Sequence, residues 1–247
     1  MSASNHFYQQ LAEQYDAFSG DRSSTLAMIE FLLHRASCGS GALLELACGT
    51  GQVLKAFADR FAIVGLDSSE AMVTLAKKNL SSGAVVHLGD MAHFSLDCQF
   101  DVILCVFDSL NHLPSLNAWK QVFKSVSTHL KPGGIFIFDM NTLEKVERLA
   151  AISPLVTHQD SRLTTILELC PVKNALYEWK FTVFEQLEGV TYRKIESSFM
   201  ESVYTKKQVD QALDSFFNTR SWFAPETVLK NRISFDQLGR LYALCQR

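Results

Sequence analysis

The sequence contains no apolar run approaching the ~20 residues that a membrane-spanning helix requires, and no block of lysine and arginine. The first absence argues against a membrane span. The second argues against a protein that follows a nucleic-acid backbone, which concentrates positive charge on one face. The overall balance agrees, since 23 Lys and Arg against 26 Asp and Glu leave a formal charge of −3. Six cysteines (Cys38, Cys48, Cys98, Cys105, Cys170 and Cys245) include no Cys-x-x-Cys pair, which excludes a disulfide framework or cysteine zinc site and reads as reduced thiols. The histidines show no ligand spacing, so no metal is expected. The opening MSASNHFYQQLAEQYD lacks a positive segment followed by an apolar one, and no signal peptide is expected. There are only five prolines, and no repeat, low-complexity tract or flexible linker. With 247 residues, 47 % of them hydrophobic, the chain is long enough for a substantial core. A soluble cytoplasmic protein, monomer or homodimer, is the expectation.

What the chain does have is a rhythm. Short apolar runs recur at 42–46, 61–66, 84–88, 100–106 and 135–140, and the first four lack the alternation of half-exposed strands. Helical spacing lies between them. Met72, Leu75, Ala76 and Leu80 share one face after Ser68 and Ser69, with Glu70 in the first turn. Leu116, Trp119, Phe123, Val126 and Leu130 share another, ending at Lys131-Pro132-Gly133-Gly134. Strand–helix alternation implies an α/β fold with a doubly wound, mostly parallel sheet.

After residue 150 the period changes. Tyr177, Trp179, Phe181 and Val183 alternate with Glu178, Lys180 and Thr182, and the stretches 163–170 and 190–203 also read as strands. An antiparallel β insertion over 153–204, after the fifth strand, is expected. Thr205 and Gln208 then fit a capping box, and two last strands are expected at 219–223 and 240–245. The predicted organisation is a single unit: N-terminal helices in 1–40, a core in 41–152, the insertion in 153–204, and a last helix and strands in 205–247.

The chemistry concentrates at strand ends. Leu43-Leu44-Glu45-Leu46-Ala47-Cys48-Gly49-Thr50-Gly51 is a strand entering a glycine turn ahead of a helix. Gly49 and Gly51 remove side chains where a ligand must approach backbone, and the helix start offers free N–H groups. Asp67, sixteen residues after Gly51, ends the second strand, and Asp90-Met91 ends the third. Three such features at successive carboxyl ends converge on one crevice, where open α/β sheets bind ligands. A dinucleotide needs a third glycine where this chain has Leu54, and no phosphate-loop Lys-Ser/Thr pair is present. A nucleoside ligand without a pyrophosphate fits better.

Over about residues 7–142 these motifs, in order and spacing, resemble those of class I S-adenosylmethionine-dependent methyltransferases. Leu130-Lys131-Pro132-Gly133-Gly134 and the opening Tyr8…Leu11-Ala12…Tyr15-Asp16 add to the likeness; Ala47, where the family often has glycine, departs from it. The resemblance implies S-adenosylmethionine as cofactor, with Glu45, Ala47, Gly49 and Gly51 around its methionine part. It implies Asp67 with Ser68 at the ribose, Met72, Asp90 and Met91 around the adenine, and Tyr15 and Val106 nearby.

The segment after the fourth strand, Cys105-Val106-Phe107-Asp108-Ser109-Leu110-Asn111-His112-Leu113, lacks the Asn/Asp-Pro-Pro-aromatic motif of many amide and base methyltransferases. It is similar to that of small-molecule N- and O-methyltransferases. Asp108, Asn111 and His112 are candidates to orient or deprotonate an acceptor; alternatively Asp108 and Asn111 cap the next helix and His112 packs beside it. Tyr177, Trp179 and Phe181 read either as core or as acceptor-pocket lining. The expected function is methyl transfer to a nitrogen or oxygen of a small molecule. The alternatives are an RNA or protein methyltransferase, or an inactive cofactor-binding partner subunit.

Overall fold

The structure, a computed structural model, describes residues 8, 9, 12, 15, 16, 19, 21–80, 83–173, 175–230 and 237–247. Expectations that fall on residues 1–7 and on Leu11 lie outside the described residues. The first half of the chain runs α1 (Ser23–Arg35), β1 (Gly41–Leu46), α2 (Gln52–Phe57), β2 (Phe61–Asp67), α3 (Glu70–Asn79), β3 (Val85–Leu88) and β4 (Phe100–Cys105). A 3-10 turn (Ser109–His112), α4 (Leu116–His129), β5 (Leu130–Asn141) and α5 (Leu143–Ile152) follow. Then come β6 (Leu155–Gln159), β7 (Leu163–Pro171), β8 (Leu176–Gln186), β9 (Tyr192–Ser202), α6 (Lys206–Leu213), β10 (Thr219–Phe223), α7 (Pro225–Leu229) and β11 (Arg240–Gln246).

Seven strands form the main sheet in the order β10-β11-β5-β4-β1-β2-β3. Neighbours from β3 to β5 pair in parallel, and β11 enters antiparallel between β5 and β10. Adjacent residues on each strand enter opposite cores. Leu44, Ile103 and Cys105 pack with Trp119, Phe123 and Phe138 on one face. Leu43, Val102 and Leu104 pack with Met28, Leu32 and Phe57 on the other. Both faces being buried, the strands need no polar alternation, which is why they read as continuous apolar runs. β1 neighbours both β2 and β4, so the chain changes direction there and opens a crevice at the carboxyl ends.

The helix starts follow from local chemistry. Ser69, Ser115, Thr142 and Thr205 each accept the N–H of the residue three further on, and Thr205 with Gln208 completes the capping box. Ser115, rather than Asp108 or Asn111, therefore caps α4, which removes the capping explanation for those two residues. Residues 131–134, expected to be a plain stop, belong to β5 because Leu130 pairs with Phe100 before the register shifts.

The second sheet, β6-β7-β8-β9, is antiparallel throughout. Its apolar face carries Tyr177, Trp179, Val183, Leu167 and Phe199 against Val146 and Leu149 of α5. Neither α5 nor β6 nor α7 is expected from sequence periodicity. α5 shows only Val146, Leu149 and the Thr142 cap amid four charged residues, too short a pattern to stand out.

Candidate functional site

From the end of β1 the chain turns through residues 47–51, and Ala47, Gly49 and Gly51 take φ of +53°, +53° and +79°. Ala47 thus occupies a left-handed position that costs a residue with a Cβ about 1–2 kcal/mol. The next strand holds the turn: Asp67 Oδ2 accepts the Gly49 N–H at 2.8 Å, and its Oδ1 accepts the Ser69 N–H at 2.9 Å. Burial pushes the Asp67 carboxyl above its usual range, against these backbone donors. The two glycines differ in role. A Cβ on Gly49 would stand 3.9 Å from the Tyr15 ring, over open space; one on Gly51 would meet Leu80 at 3.1 Å and Ala76 at 3.4 Å.

Above the turn lies a cavity of about 400 Å³. The structure brings together on its walls Tyr15, Glu45, Ala47, Gly49, Asp67, Ser68, Met72, Asp90 and Met91. Of the crevice residues expected from sequence, Gly51 and Val106 do not line it: Gly51 serves α2–α3 packing, and Val106 is buried in the apolar core. Glu45 is buried, and its Oε2 has no hydrogen-bond partner. Burial pushes this carboxyl well above the ordinary range. Sequence reasoning missed a clamp around Asp16, which accepts from Arg22 Nη2 (2.8 Å), Thr50 Oγ1 (2.7 Å) and Gln52 Nε2 (3.0 Å), tying the N-terminal segment to the glycine turn.

A second cavity of about 210 Å³ lies between the two sheets and shares Tyr8, Tyr15, Phe107 and His112 with the first. Trp179, Phe181 and Phe199 of the antiparallel sheet line it, so the stripe on β8 is both core and cavity wall; Tyr177 is core alone. His112 Nε2 lies 3.0 Å from the Tyr8 hydroxyl, and its Nδ1 is buried without a partner. Burial lowers the imidazole pKa below its usual value and raises the Tyr8 phenol well above its own; Tyr15 is pushed up to about 12. The shared wall therefore offers neutral hydrogen-bonding groups at neutral pH.

Asp108 lines the second cavity, while Asn111 lines neither. Asn111 is a buried strut: its Nδ2 donates to Ser202 O (2.9 Å) and its Oδ1 accepts the Asn141 N–H (3.0 Å), joining β9 to β5. Asp108 accepts from Arg240 Nη1 at 2.8 Å and Asn141 Nδ2 at 2.7 Å. Arg240 and Lys145 hold its pKa far below the ordinary carboxylate range against the opposing effect of burial. Arg240, Lys145, Glu201 and the buried Asp139 were not picked out from sequence. The available signal was Asp139 and Asn141 inside an apolar strand, where a buried polar residue demands a partner. Among the described residues, no group of His, Cys, Asp and Glu side chains is placed to hold a metal, and no helix is long and apolar enough to cross a membrane.

Residues 43–134 match the family model of a methyltransferase domain. The chain is 38 % identical over 177 residues to the putative methyltransferase YqeM of Bacillus subtilis (strain 168), covering 70 % of this chain and 71 % of that one. It is 33 % identical over 135 residues to dTDP-3-amino-3,6-dideoxy-alpha-D-glucopyranose N,N-dimethyltransferase of Streptomyces fradiae, covering 53 % of this chain but only 52 % of that enzyme's length. The fold superposes with a TM-score of 0.78 on CalS10, an amino pentose methyltransferase from Micromonospora echinaspora solved with S-adenosylmethionine bound, at 20 % identity and 97 % coverage of both chains. The order of the main sheet, the glycine turn with its acid at the end of β2, and these matches together make the chain a member of the class I S-adenosylmethionine-dependent methyltransferases.

Proposed function

We propose that this protein transfers the methyl group of S-adenosylmethionine to an amine nitrogen of a small molecule, with an amino sugar as the first acceptor to test. The observation that carries the proposal is the pair of cavities meeting at Tyr8, Tyr15, Phe107 and His112. The larger cavity fits the cofactor: the unpartnered Glu45 Oε2 suits an ammonium group, and Gly49 leaves room for a ligand close to backbone. Glu45, Arg22, Ala47 and Gly49 would hold its methionine part, Asp67 and Ser68 its ribose, and Met72, Asp90 and Met91 its adenine. Bound there, S-adenosylmethionine supplies a methyl group already activated by its sulfonium.

The chain's own residues then mainly align the acceptor and exclude water. Aromatic rings from the antiparallel sheet, from Phe107 and His112 after β4, and from Tyr8 and Tyr15 close the smaller cavity, and in this reading the segment 153–204 is the acceptor cover. His112 and Tyr8 are placed to orient a nucleophile through hydrogen bonds. Neither is a strong base: burial weakens the His112 imidazole and holds Tyr8 as the neutral phenol. This favours an amine, nucleophilic once neutral, over an alcohol, which needs a base to remove its proton. A volume of about 210 Å³ suits a small ring better than a macromolecular segment. The relative from Streptomyces fradiae, named as an N,N-dimethyltransferase of an amino sugar nucleotide, supports nitrogen as the acceptor atom.

The test is incubation of purified protein with S-adenosylmethionine and dTDP-3-amino-3,6-dideoxyglucose, followed by mass spectrometry. Mono- and dimethylated sugar is expected. No methylated product from this sugar or from other amino sugars would refute the proposed acceptor class.

A further inference from the structure

Asn141 Nδ2 donates to two carboxyl groups at once, Asp108 Oδ2 at 2.7 Å and Glu201 Oε2 at 3.1 Å. Two carboxylates gathered on one nitrogen in a dry site do not both ionise, so the pair holds one proton. Arg240, donating to Asp108 at 2.8 Å, and Lys145 fix the negative charge on Asp108, and Glu201 keeps the proton. Burial and the Asp108 charge both push the Glu201 carboxyl well above its ordinary range.

The second Glu201 oxygen is the unexplained atom. Oε1 is buried, the residue is 1 % exposed, and no hydrogen bond reaches it. Such an acceptor left unmet inside the protein is destabilising. Glu201 lines the smaller cavity but neither the larger one nor the shared wall of Tyr8, Tyr15, Phe107 and His112. It is therefore set to meet a part of a bound molecule other than the reacting atom. On the floor around it Arg240 pairs with Asp108 and with Asp139 buried beneath, and the charge of Lys145 also acts on Asp108, so a further cation has no unpaired anion to meet. A neutral donor fits, and the common neutral donor on a small polar ring is a hydroxyl.

We infer that Glu201 is a specificity-determining residue of the acceptor cavity, where its Oε1 accepts a hydrogen bond from a hydroxyl group lying beside, not at, the methylated nitrogen. The inference rests on the reading of that cavity as the acceptor site. A group built to bond a substrate hydroxyl rejects the analogue lacking it, because its own acceptor is then left unpaired.

The experiment measures KM and kcat for dTDP-3-amino-3,6-dideoxyglucose and for its analogues lacking the hydroxyl at C2 or at C4. Wild type, E201Q and E201L are compared, with cofactor affinity and Tm recorded for each. The wild type should show a KM at least about tenfold higher for one deoxy analogue than for the parent sugar. E201L should bring that ratio to about one, with a larger change in KM than in kcat. E201Q keeps a carbonyl oxygen, but its amide nitrogen takes the place of the oxygen that accepts from Asn141, so it should restore only part of the discrimination. Should E201L fail to fold, E201D withdraws the carboxyl by one methylene and should also lower the ratio. Equal KM values in the wild type, or a Glu201 variant that shifts all three sugars alike, would overturn the inference while the acceptor site stands. A wild type that binds cofactor yet methylates none of the three would overturn both.

Discussion

The backbone N–H of Asp108 donates to Asp139 Oδ1 at 2.6 Å, and that of Phe107 donates to Oδ2 at 3.1 Å. One buried carboxylate thus pins two consecutive residues in the left-handed region, at φ of +51° and +60°. Each costs about 1–2 kcal/mol without such support. The turn places Phe107 and His112 on the wall between the two cavities and Asp108 on the floor of the smaller one. Arg240 Nη1, 3.2 Å from both Asp139 oxygens, extends the anchor to the last strand.

Asp139→Ala removes the acceptor for both N–H groups and one of the two acids on a buried arginine. A loss of about 3 kcal/mol or more in unfolding free energy is expected by urea denaturation, together with a higher acceptor KM. A loss below about 1 kcal/mol would show that the turn is self-supporting.

Asp67 does two jobs if the cofactor reading holds: its oxygens already accept from Gly49 and Ser69, and their remaining lone pairs are available to a ribose. Asp67→Ala therefore disturbs the glycine turn as well as the ligand. Asp67→Asn keeps the shape but turns its amide nitrogen against one of these two N–H donors, so its Tm should fall, though less than that of Asp67→Ala. It should also weaken S-adenosylmethionine binding about tenfold by calorimetry, since charge-assisted bonds are worth about 1.5–3 kcal/mol. An unchanged Kd would remove Asp67 from the cofactor site.

The turn glycines should respond differently. Gly51→Val drives a branched side chain into Leu80 and Ala76 at a φ of +79°, so Tm should fall first and cofactor binding fail with it. Gly49→Ala carries the left-handed cost of about 1–2 kcal/mol at φ +53° but no clash, its Cβ lying 3.9 Å from the Tyr15 ring in the cavity, and should lower cofactor affinity with a smaller fall in Tm than Gly51→Val. Ala47→Gly relieves a left-handed alanine, and should hold or raise stability by up to about 1 kcal/mol. A Gly51 variant of normal Tm, or an Ala47→Gly protein clearly less stable than wild type, would contradict this division of roles.

The larger cavity was legible because its parts are local: each lies at the end of an apolar run, and strand order alone brings the runs together. Asp67 and Asp90 needed no knowledge of packing to be picked out. The floor of the smaller cavity and its anchor were not legible, because Asp108, Asp139, Glu201 and Arg240 come from the turn after β4, β5, β9 and β11 in that order, and only the antiparallel entry of β11 beside β5 assembles them. Asn111 shows the same limit from the other side. It stands in the right segment, yet its amide is spent on joining two strands.

Glu45 gives a pH signature. Burial raises its folded pKa, so the folded protein holds a proton that the unfolded chain releases in the ordinary carboxylate range. That contribution to stability is complete below the unfolded pKa and is lost as pH rises through the folded one. Glu45→Gln cannot release the proton, so without cofactor its Tm should gain on that of wild type as pH rises above the ordinary carboxylate range. Its cofactor affinity should fall. A difference that shrinks as pH rises would mean that Glu45 is ionised in the unliganded fold.

Methyl transfer to a small amine is tested most directly by the fate of labelled methyl groups. Purified protein is incubated with tritiated S-adenosylmethionine and, in separate vessels, with a small-metabolite extract, total RNA and denatured protein. Label is expected in a low-molecular-weight amine with the wild type, and should be sharply reduced with a His112→Ala variant that still binds cofactor. Label that enters RNA or protein instead, or none in any vessel from a protein that binds cofactor, would contradict the account.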